Sequence, residues 1–248
     1  MIMKIDFFIK LFSPPGCAGC GERFDIFEND NIEALCTECR AEWERAKMSF
    51  CQGCGRESVS CICKGKFLKD VKILSLLKFG ERYAPDKFIY TLKRKNLPRL
   101  VDFAATELVK RLRHEEELMV ADFSDSIITS VPRNLKTLRL YGFDHAAEIA
   151  GQTAELADIR YEELLKRRLG GRPQKKLGEK KRLQNVKGRF ELLSNVNIEG
   201  ARIILIDDVM TTGATASECV KMLRGGGASE IILLTLARTE NKRKTKKK

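Results

Sequence analysis

The stretch that decides the fold is 203–215, with the sequence Ile-Ile-Leu-Ile-Asp-Asp-Val-Met-Thr-Thr-Gly-Ala-Thr. Its four apolar residues predict a buried strand that ends in two adjacent carboxylates and a small, hydroxyl-rich loop. Residues 216–224 then predict a helix, three glycines at 225–227 stop it, and 231–236 predict a second strand. This order is that of a βαβ unit whose loop lies at the carboxyl end of a strand, where open α/β sheets bind ligands.

The loop after the first strand has the chemistry of a phosphate site, because backbone N–H groups and hydroxyls collect at a helix N-terminus. The candidate phosphate-binding residues are Thr211, Thr212, Gly213, Ala214 and Thr215. Asp207 and Asp208 beside them suit a sugar diol, whose hydroxyls need acceptors. The alternative is a buried strand with an acidic N-cap, but a plain cap does not need two carboxylates and two threonines around a glycine. Neither a dinucleotide fingerprint nor a P-loop is present in the chain.

The whole of 203–215 resembles the 5-phosphoribosyl-1-pyrophosphate (PRPP) signature of type I phosphoribosyltransferases. The resemblance implies that Asp207 and Asp208 hold the ribose hydroxyls and that residues 211–215 cradle the 5′-phosphate. It also implies magnesium, which accompanies PRPP.

Composition places the chain among soluble globular proteins. At 248 residues, with 43% hydrophobic and 32% charged residues, it is long enough for one well-packed domain and a smaller one. Its apolar runs are too short to cross a bilayer, and the N-terminus has no small-residue cleavage site. We therefore expect a cytoplasmic protein with no membrane insertion.

The net charge of +12 is concentrated in two segments. Residues 164–189 carry eleven Lys and Arg against Glu179, and the tail 239–248 carries six against Glu240. The rest of the chain is therefore slightly acidic. This distribution indicates two local anion-facing segments rather than a general nucleic-acid-binding coat.

Eight of the nine cysteines lie in four close pairs near the N-terminus. The pairs are Cys17 with Cys20, Cys36 with Cys39, Cys51 with Cys54, and Cys61 with Cys63. Thiolates at such spacing can share a tetrahedral ion, so the pattern predicts one or two structural zinc sites. The tetrads can form in chain order or interleaved, and the sequence leaves both open. A disulfide framework is the alternative, which a reducing cytoplasm disfavours.

A second anion site is predicted after the strand 127–131, which ends in Pro132-Arg133. In type I enzymes a loop in this position receives the pyrophosphate, and Arg133 with Lys136 is the candidate. The alternative is an ordinary surface turn. His145, at a helix start, is interpreted as a capping or surface residue rather than a catalyst. Cys219, alone in the helix after the phosphate loop, is interpreted as a packing residue.

The remaining elements follow from apolar spacing. We expect a strand over 71–79 and helices over 83–95, 102–113 and 146–156. The glycines in the tract 164–190 favour a mobile loop that closes over the pyrophosphate, with a solvated face as the alternative. The tail 239–248 is predicted to be disordered.

Taken together, the chain resembles the ComF family, in which a double zinc ribbon precedes a phosphoribosyltransferase domain. The resemblance rests on the paired cysteines, Ser130-Val131-Pro132, Gly142-Phe143, the stretch 182–188 before Phe190, and the PRPP run. It implies an α/β fold with a parallel-sheet, Rossmann-like core. The implied domains are 1–66 for the double zinc ribbon and 67–238 for the phosphoribosyltransferase domain, followed by the tail 239–248.

The resemblance also implies candidate functions and partners. One hypothesis is an enzyme that transfers phosphoribosyl from PRPP to a nitrogen acceptor, with Asp207, Asp208 and Arg133 as catalytic residues and Asp208 as a proton acceptor. The second is a non-catalytic PRPP sensor that binds single-stranded DNA in natural competence, and the third is a structural adaptor. A DNA-uptake helicase or other competence proteins are candidate partners. The family commonly has Arg before Gly-Phe and Asn-Gln after it. Here these residues are Tyr141, Asp144 and His145, which indicates a different acceptor pocket.

Overall fold

The computed structural model describes residues 15–24, 33–50, 56–57, 59, 61, 68, 70–80, 83–119, 122–168 and 187–239. The described helices are α1 (Thr37–Lys47), α2 (Tyr83–Leu92), α3 (Pro98–Met119), α4 (Leu135–Tyr141), α5 (His145–Ala157) and α6 (Ala214–Gly225). The strands are β1 (Lys72–Lys78), β2 (Ile127–Ser130), β3 (Arg160–Tyr161), β4 (Leu165–Arg167), β5 (Phe190–Leu192), β6 (Arg202–Met210) and β7 (Glu230–Arg238). Within these ranges, no helix combines the length and apolar character that crossing a membrane requires.

The core is a five-stranded parallel sheet in the order β1-β7-β6-β2-β3. Strands β6 and β7 lie inside the sheet, and each contains a continuous apolar run, residues 203–206 and 231–234, which is the pattern of a parallel sheet buried on both faces. Successive residues of β6 point to opposite faces, so Ile204 joins one hydrophobic cluster and Ile203 the other. The βαβ unit predicted around residues 203–236 is confirmed.

Helices cover the two faces of the sheet unequally. Helices α1, α2, α3 and α5 lie over the face that bears Ile204, whereas α6 and the antiparallel β4–β5 hairpin lie over the face that bears Ile203. The other predicted elements are confirmed with small shifts at their ends. The largest shift is in α3, which begins four residues earlier and ends six residues later than expected.

The cysteine-bearing segment shares a hydrophobic core with the sheet domain. Helix α1, which the sequence analysis did not predict, buries Trp43 edge-on between Phe88 of α2 and Phe103 of α3, with ring centroids 5.2 and 5.0 Å away. Cys17 and Cys39 belong to the same cluster of buried residues. The cysteines are therefore held by the framework that carries the rest of the domain.

Candidate functional site

A cavity of about 210 Å³ opens at the carboxyl ends of the central strands. Its lining comes from the end of β6, the loop after β2, the start of α5, the end of β4 and the start of α6. The lining residues are Val131, Pro132, Arg133, Asn134, His145, Ala146, Arg167, Asp207, Asp208, Val209 and Thr215. The structure thus brings together the acidic pair, one threonine of the phosphate loop and two arginines from separate segments.

Asp208 is held from both sides by basic groups. Its Oδ2 contacts Nε2 of His145, and its Oδ1 lies 3.2 Å from Nζ of Lys93, the residue that follows α2. Both Asp208 and His145 are buried. This three-residue network joins β6, α5 and the end of α2, and it fixes the orientation of one carboxylate at the cavity.

The pKa values of the two carboxyl groups in the acidic pair are shifted in opposite directions. Burial, reinforced by the negative charge of Asp208, raises the pKa of Asp207. Burial would also raise the pKa of Asp208, but the bond from His145 and the charge of Lys93 outweigh it and lower that pKa. A carboxylate with a lowered pKa is a weak proton acceptor, so these shifts favour Asp207 over Asp208 as a base. The proton-acceptor role of Asp208 stays a prediction.

The phosphate loop forms the turn between β6 and α6. Gly213 is the N-cap of α6 with φ of 76°, and a Cβ there would lie 3.1 Å from Leu68 Cδ1, so the turn requires glycine. Ala214 and Thr215 begin the helix, and Thr215 lines the cavity. Thr211 and Thr212 lie in the same turn but do not line the cavity. The N-terminal end of α6 therefore faces the site, as a phosphate requires.

Arg133 lines the cavity, but its guanidinium is bonded to the protein backbone. Nη1 donates to the carbonyl of Phe143 at 2.7 Å, and Nη2 donates to the carbonyl of Lys93 at 2.8 Å. These bonds tie the loop after β2 to the end of α2 and to the segment before α5. Lys136 is exposed in the first turn of α4 and does not line the cavity. Of the two residues predicted for a second anion site, only Arg133 lines the cavity.

His145 is a residue whose position the sequence did not reveal. It was interpreted as a capping or surface residue, and this was wrong, because Asp144 is the N-cap of α5 and accepts from the N–H groups of Ala146 and Ala147. His145 is then the first helical residue and packs against Asp208, 63 positions away. The contact is long-range, so no local pattern indicates it. Lys93 and Arg167 were missed for the same reason.

Four cysteines form a compact cluster away from the cavity. The Sγ atoms of Cys17, Cys20, Cys36 and Cys39 all lie within 4.8 Å of one another. Tetrahedral zinc with Zn–S bonds of about 2.3 Å requires sulfur–sulfur distances of roughly 3.8 Å, and Cys20 and Cys36 are 3.8 Å apart. The four thiols could therefore hold zinc. Their grouping is the chain-order tetrad, not the interleaved one.

Backbone groups support this cluster as they do in metal sites. The N–H groups of Gly19 and Cys36 donate to Cys17 Sγ at 3.3 and 3.2 Å. Burial alone would raise the pKa of Cys17, but the backbone N–H groups of Cys20, Cys36 and Gly19 outweigh it and lower the pKa to about 7, which favours the thiolate. A Cβ on Gly19 would lie 2.7 Å from Cys39 Sγ, so the close approach of the two knuckles requires glycine.

The second predicted tetrad falls largely outside the described residues. Cys51, Cys54 and Cys63 lie there, whereas Cys61 is buried and contacts Nη2 of Arg238. The basic tract is described only at its ends, where Gly188 donates to the buried Glu218 of α6 at 3.2 Å. Most of the predicted closing loop, 169–186, and of the tail, 240–248, is outside the described residues. Cys219 is fully buried, and its interpretation as a packing residue is confirmed.

The family comparison agrees with this geometry. Residues 144–248, which include the acidic pair, the phosphate loop and α6, match the family model "Phosphoribosyl transferase domain". This part of the chain is similar to phosphoribosyl transferase domains. The parallel sheet of the chain is that of the type I phosphoribosyltransferase fold predicted from the sequence.

Comparison with curated proteins extends the similarity beyond residues 144–248 to most of the chain. The chain is 28% identical to Competence protein F of Haemophilus influenzae over 230 residues, which cover 90% of each protein. It is 24% identical to DNA utilization protein YhgH of Escherichia coli O6:H1, covering 83% of this chain and 90% of that protein. The resemblance to the ComF family is thereby confirmed.

One solved structure similar to this domain is that of the allosteric regulatory enzyme of purine biosynthesis. It is 24% identical, with a TM-score of 0.39. The alignment covers 59% of this chain and 30% of the solved one.

Proposed function

We propose that the cavity binds Mg-PRPP and that the protein transfers the phosphoribosyl group to a nitrogen acceptor. The observation that carries this proposal is the pairing of two adjacent carboxylates with a helix N-terminus in one cavity. Asp207, Asp208 and Thr215 line it together. Carboxylates accept from a sugar diol, and the start of α6 binds a phosphate, so a phosphorylated ribose satisfies both ends.

The proposed roles follow from the contacts of each residue. Asp208, held by His145 and Lys93, accepts from a ribose hydroxyl in a fixed orientation. The start of α6, with Thr215 at the cavity wall, binds the 5′-phosphate through backbone N–H groups and the Thr215 hydroxyl, and residues 211–214 form the turn that leads into this helix. Arg133 holds the loop after β2 against α2 and so sets the shape of the pyrophosphate side of the cavity. Mg²⁺, held with the pyrophosphate, would neutralise its negative charge.

The chemical step forms one bond from nitrogen to the anomeric carbon, breaks the bond from that carbon to pyrophosphate, and transfers one proton. The nitrogen acceptor attacks the anomeric carbon, and the bond from that carbon to pyrophosphate breaks with both electrons leaving on the pyrophosphate. Asp207, whose pKa burial and the charge of Asp208 raise, takes the proton that the acceptor nitrogen loses. The carboxylate pair also stabilises the positive charge that develops on the sugar, because it lies close to the sugar.

The names of the relatives favour a second candidate function. Competence protein F is named for competence and DNA utilization protein YhgH for the use of DNA, and neither is named for a transferase activity. In this alternative the chain is a cytoplasmic, non-catalytic PRPP sensor that binds single-stranded DNA during natural competence, with zinc held by the cysteine cluster. The basic segments 164–189 and 239–248 would then contact the strand.

Pyrophosphate release separates the two candidates. The protein is incubated with Mg-PRPP and a panel of nucleobases, ammonia and amines, and pyrophosphate is measured by a coupled assay. Release that needs one acceptor and disappears in Asp207→Asn supports the transferase. Binding of Mg-PRPP without release, together with salt-sensitive single-strand binding that deletion of 239–248 weakens, supports the sensor. Absence of Mg-PRPP binding by the wild type contradicts both.

A further inference from the structure

The β4–β5 hairpin sorts three consecutive basic residues onto two faces. Lys166, Arg167 and Arg168 follow one another at the end of β4, which pairs antiparallel with β5. Because side chains alternate along a strand, the first and third point one way and the second points the other way. The three residues have the same charge and adjoining positions, yet they meet different surroundings.

The outer two share one carboxylate as their counter-ion. Lys166 Nζ lies 3.0 Å from Glu191 Oε1, and Arg168 Nε lies 2.7 Å from Glu191 Oε2. The side chains of Lys166 and Arg168 are 55% and 59% exposed. Hydrogen bonds from Arg168 and Lys166 lower the pKa of Glu191, as expected for a carboxylate shared by two cations. Both outer residues therefore already have a counter-ion.

Arg167 is on the inner face and has no such carboxylate. It lies opposite Phe190 in the hairpin, with its guanidinium carbon 5.2 Å from the centre of that ring, and it lines the cavity with Asp207 and Thr215. Among the residues that the structure describes, no acidic group forms an ion pair with Arg167. Burial, and then the nearby positive charge of Arg189, lowers the pKa of Arg167. The free protein thus contains a partly buried cation that is repelled by a second one.

A partly buried charge without a counter-ion is costly, and proteins keep one where a ligand supplies the missing charge. The cavity wall beside Arg167 contains Thr215, at the start of α6, which also favours an anion. Arginine binds phosphoryl oxygens in a bidentate manner, which fits an anion with several oxygens. Arg133, the other arginine of the cavity, already donates hydrogen bonds to two backbone carbonyls, so Arg167 is the better candidate to bind an anion.

We propose that Arg167 is the residue that anchors a phosphoryl group of the ligand in this cavity. The identity of the ligand as PRPP rests on the proposed function, whereas the anion site itself rests on the geometry around Arg167. Two phosphoryl groups of PRPP, the 5′-phosphate and the pyrophosphate, share the required chemistry. Arg167 binds one of them, and Lys166 and Arg168 contribute only to the outer surface of the hairpin.

The test uses the full chain, three probes and a matched pair of variants. Mg-PRPP, ribose 5-phosphate and Mg-pyrophosphate are titrated by calorimetry into the wild type, Arg167→Gln and Arg168→Gln. Arg167→Gln is expected to weaken Mg-PRPP binding by about tenfold or more, as loss of a charged hydrogen bond does. Arg168→Gln, which removes the same charge one residue away, is expected to stay within about twofold. The single probe that Arg167→Gln weakens identifies the phosphoryl group involved.

The outcomes separate this proposal from the proposed function. Equal Mg-PRPP affinity in the wild type and Arg167→Gln overturns the role of Arg167 and leaves PRPP binding intact. Equal weakening by Arg167→Gln and Arg168→Gln also overturns it, because net charge then explains the effect. Arg167-dependent binding of ribose 5-phosphate or pyrophosphate without any Mg-PRPP binding supports the anion site and contradicts the proposed function. No binding of any probe by the wild type overturns both. Thermal unfolding of Arg167→Gln checks folding, and its midpoint is expected not to fall.

Discussion

The contact between α1 and α3 and the cavity at the strand ends both contain buried charge, but they differ in whether every charged group has an ion-pair partner among the described residues. Glu107 of α3 is fully buried and accepts from Trp43 Nε1 at 3.0 Å, Lys47 Nζ at 2.8 Å and Lys110 Nζ at 2.8 Å. In the cavity, Asp207 lies beside Asp208, and Arg167 has no acidic ion-pair partner among the described residues. The first arrangement stabilises the fold, whereas the second leaves charge for a ligand to balance.

The largest predicted effect concerns the cysteine cluster, which, like the contact between α1 and α3, stabilises the fold. Structural zinc contributes roughly 10–16 kcal/mol of binding free energy in small zinc-binding peptides. Cys39→Ala is expected to remove zinc from the first cluster and to lower the unfolding midpoint strongly, because Cys39 lies in the core with Trp43. Zinc content by elemental analysis and thermal denaturation measure this. Cys219→Ala is the control, since it deletes a buried thiol outside the cluster and should keep the zinc. A wild type purified without zinc and as stable as Cys39→Ala would contradict the structural role.

The second-largest effect concerns Glu107, the buried carboxylate that is paired within the fold. Glu107→Gln keeps the shape of the side chain but leaves Lys47, whose side chain is only 16% exposed, without its buried counter-ion. We expect a loss of about 3–5 kcal/mol in the free energy of unfolding, measured by urea denaturation. Glu44→Gln removes the exposed partner of the same lysine and should cost no more than about 1 kcal/mol. Mg-PRPP affinity should not change in either variant. Equal losses of stability in the two variants would contradict the difference between the buried and the exposed counter-ion of Lys47.

The acidic pair should respond in opposite directions to the same substitution. Asp207→Asn relieves a carboxylate that burial and Asp208 disfavour, so we expect a gain of about 0.5–2 kcal/mol in stability near pH 8. Asp208→Asn breaks the bonds to His145 and Lys93, so we expect a loss of about 1.5–3 kcal/mol. Urea denaturation of the two variants, side by side, measures both. A loss of stability in Asp207→Asn would show that its charge is satisfied within the fold.

The smallest effect is the pH dependence that Asp207 produces. Its pKa rises from 3.8 to about 7 in the folded state, so the folded state binds the extra proton between these values. Stability from this group is therefore fully present below pH 3.8 and is lost as pH rises through about 7. We expect the wild type to gain thermal stability relative to Asp207→Asn as the pH falls from about 8 to 5. Asp208 acts in the opposite sense, but only below its ordinary range, because its pKa is lowered. Parallel pH profiles for the wild type and Asp207→Asn would contradict the assignment.

The sequence predicted the parts of the site that depend on contiguous residues. The apolar run of β6, the acidic pair, the turn at Gly213 and the start of α6 form one stretch, so local patterns were sufficient to place them. The pairing of Cys17 and Cys20 with Cys36 and Cys39 was one of two predicted schemes. The grouping of the four Sγ atoms in the folded chain distinguishes it from the other scheme.

The parts that failed depend on contacts between distant segments. His145 faces Asp208 because Asp144 takes the capping position, a choice between two adjacent polar residues that the sequence does not settle. Arg167 could not be separated from its basic neighbours, because the direction of a three-residue strand follows from its pairing with β5. Helix α1 was missed because its weak apolar pattern is completed by Phe88 and Phe103 from other helices.

The central claim is that the cavity with unbalanced charge is the PRPP site, and calorimetric titration with Mg-PRPP tests it most directly. The wild type should bind, and Asp207→Asn should lose that binding while remaining folded and at least as stable. This combination separates loss of a ligand contact from loss of structure. Absence of Mg-PRPP binding by the wild type, or unchanged binding by Asp207→Asn, would contradict the claim.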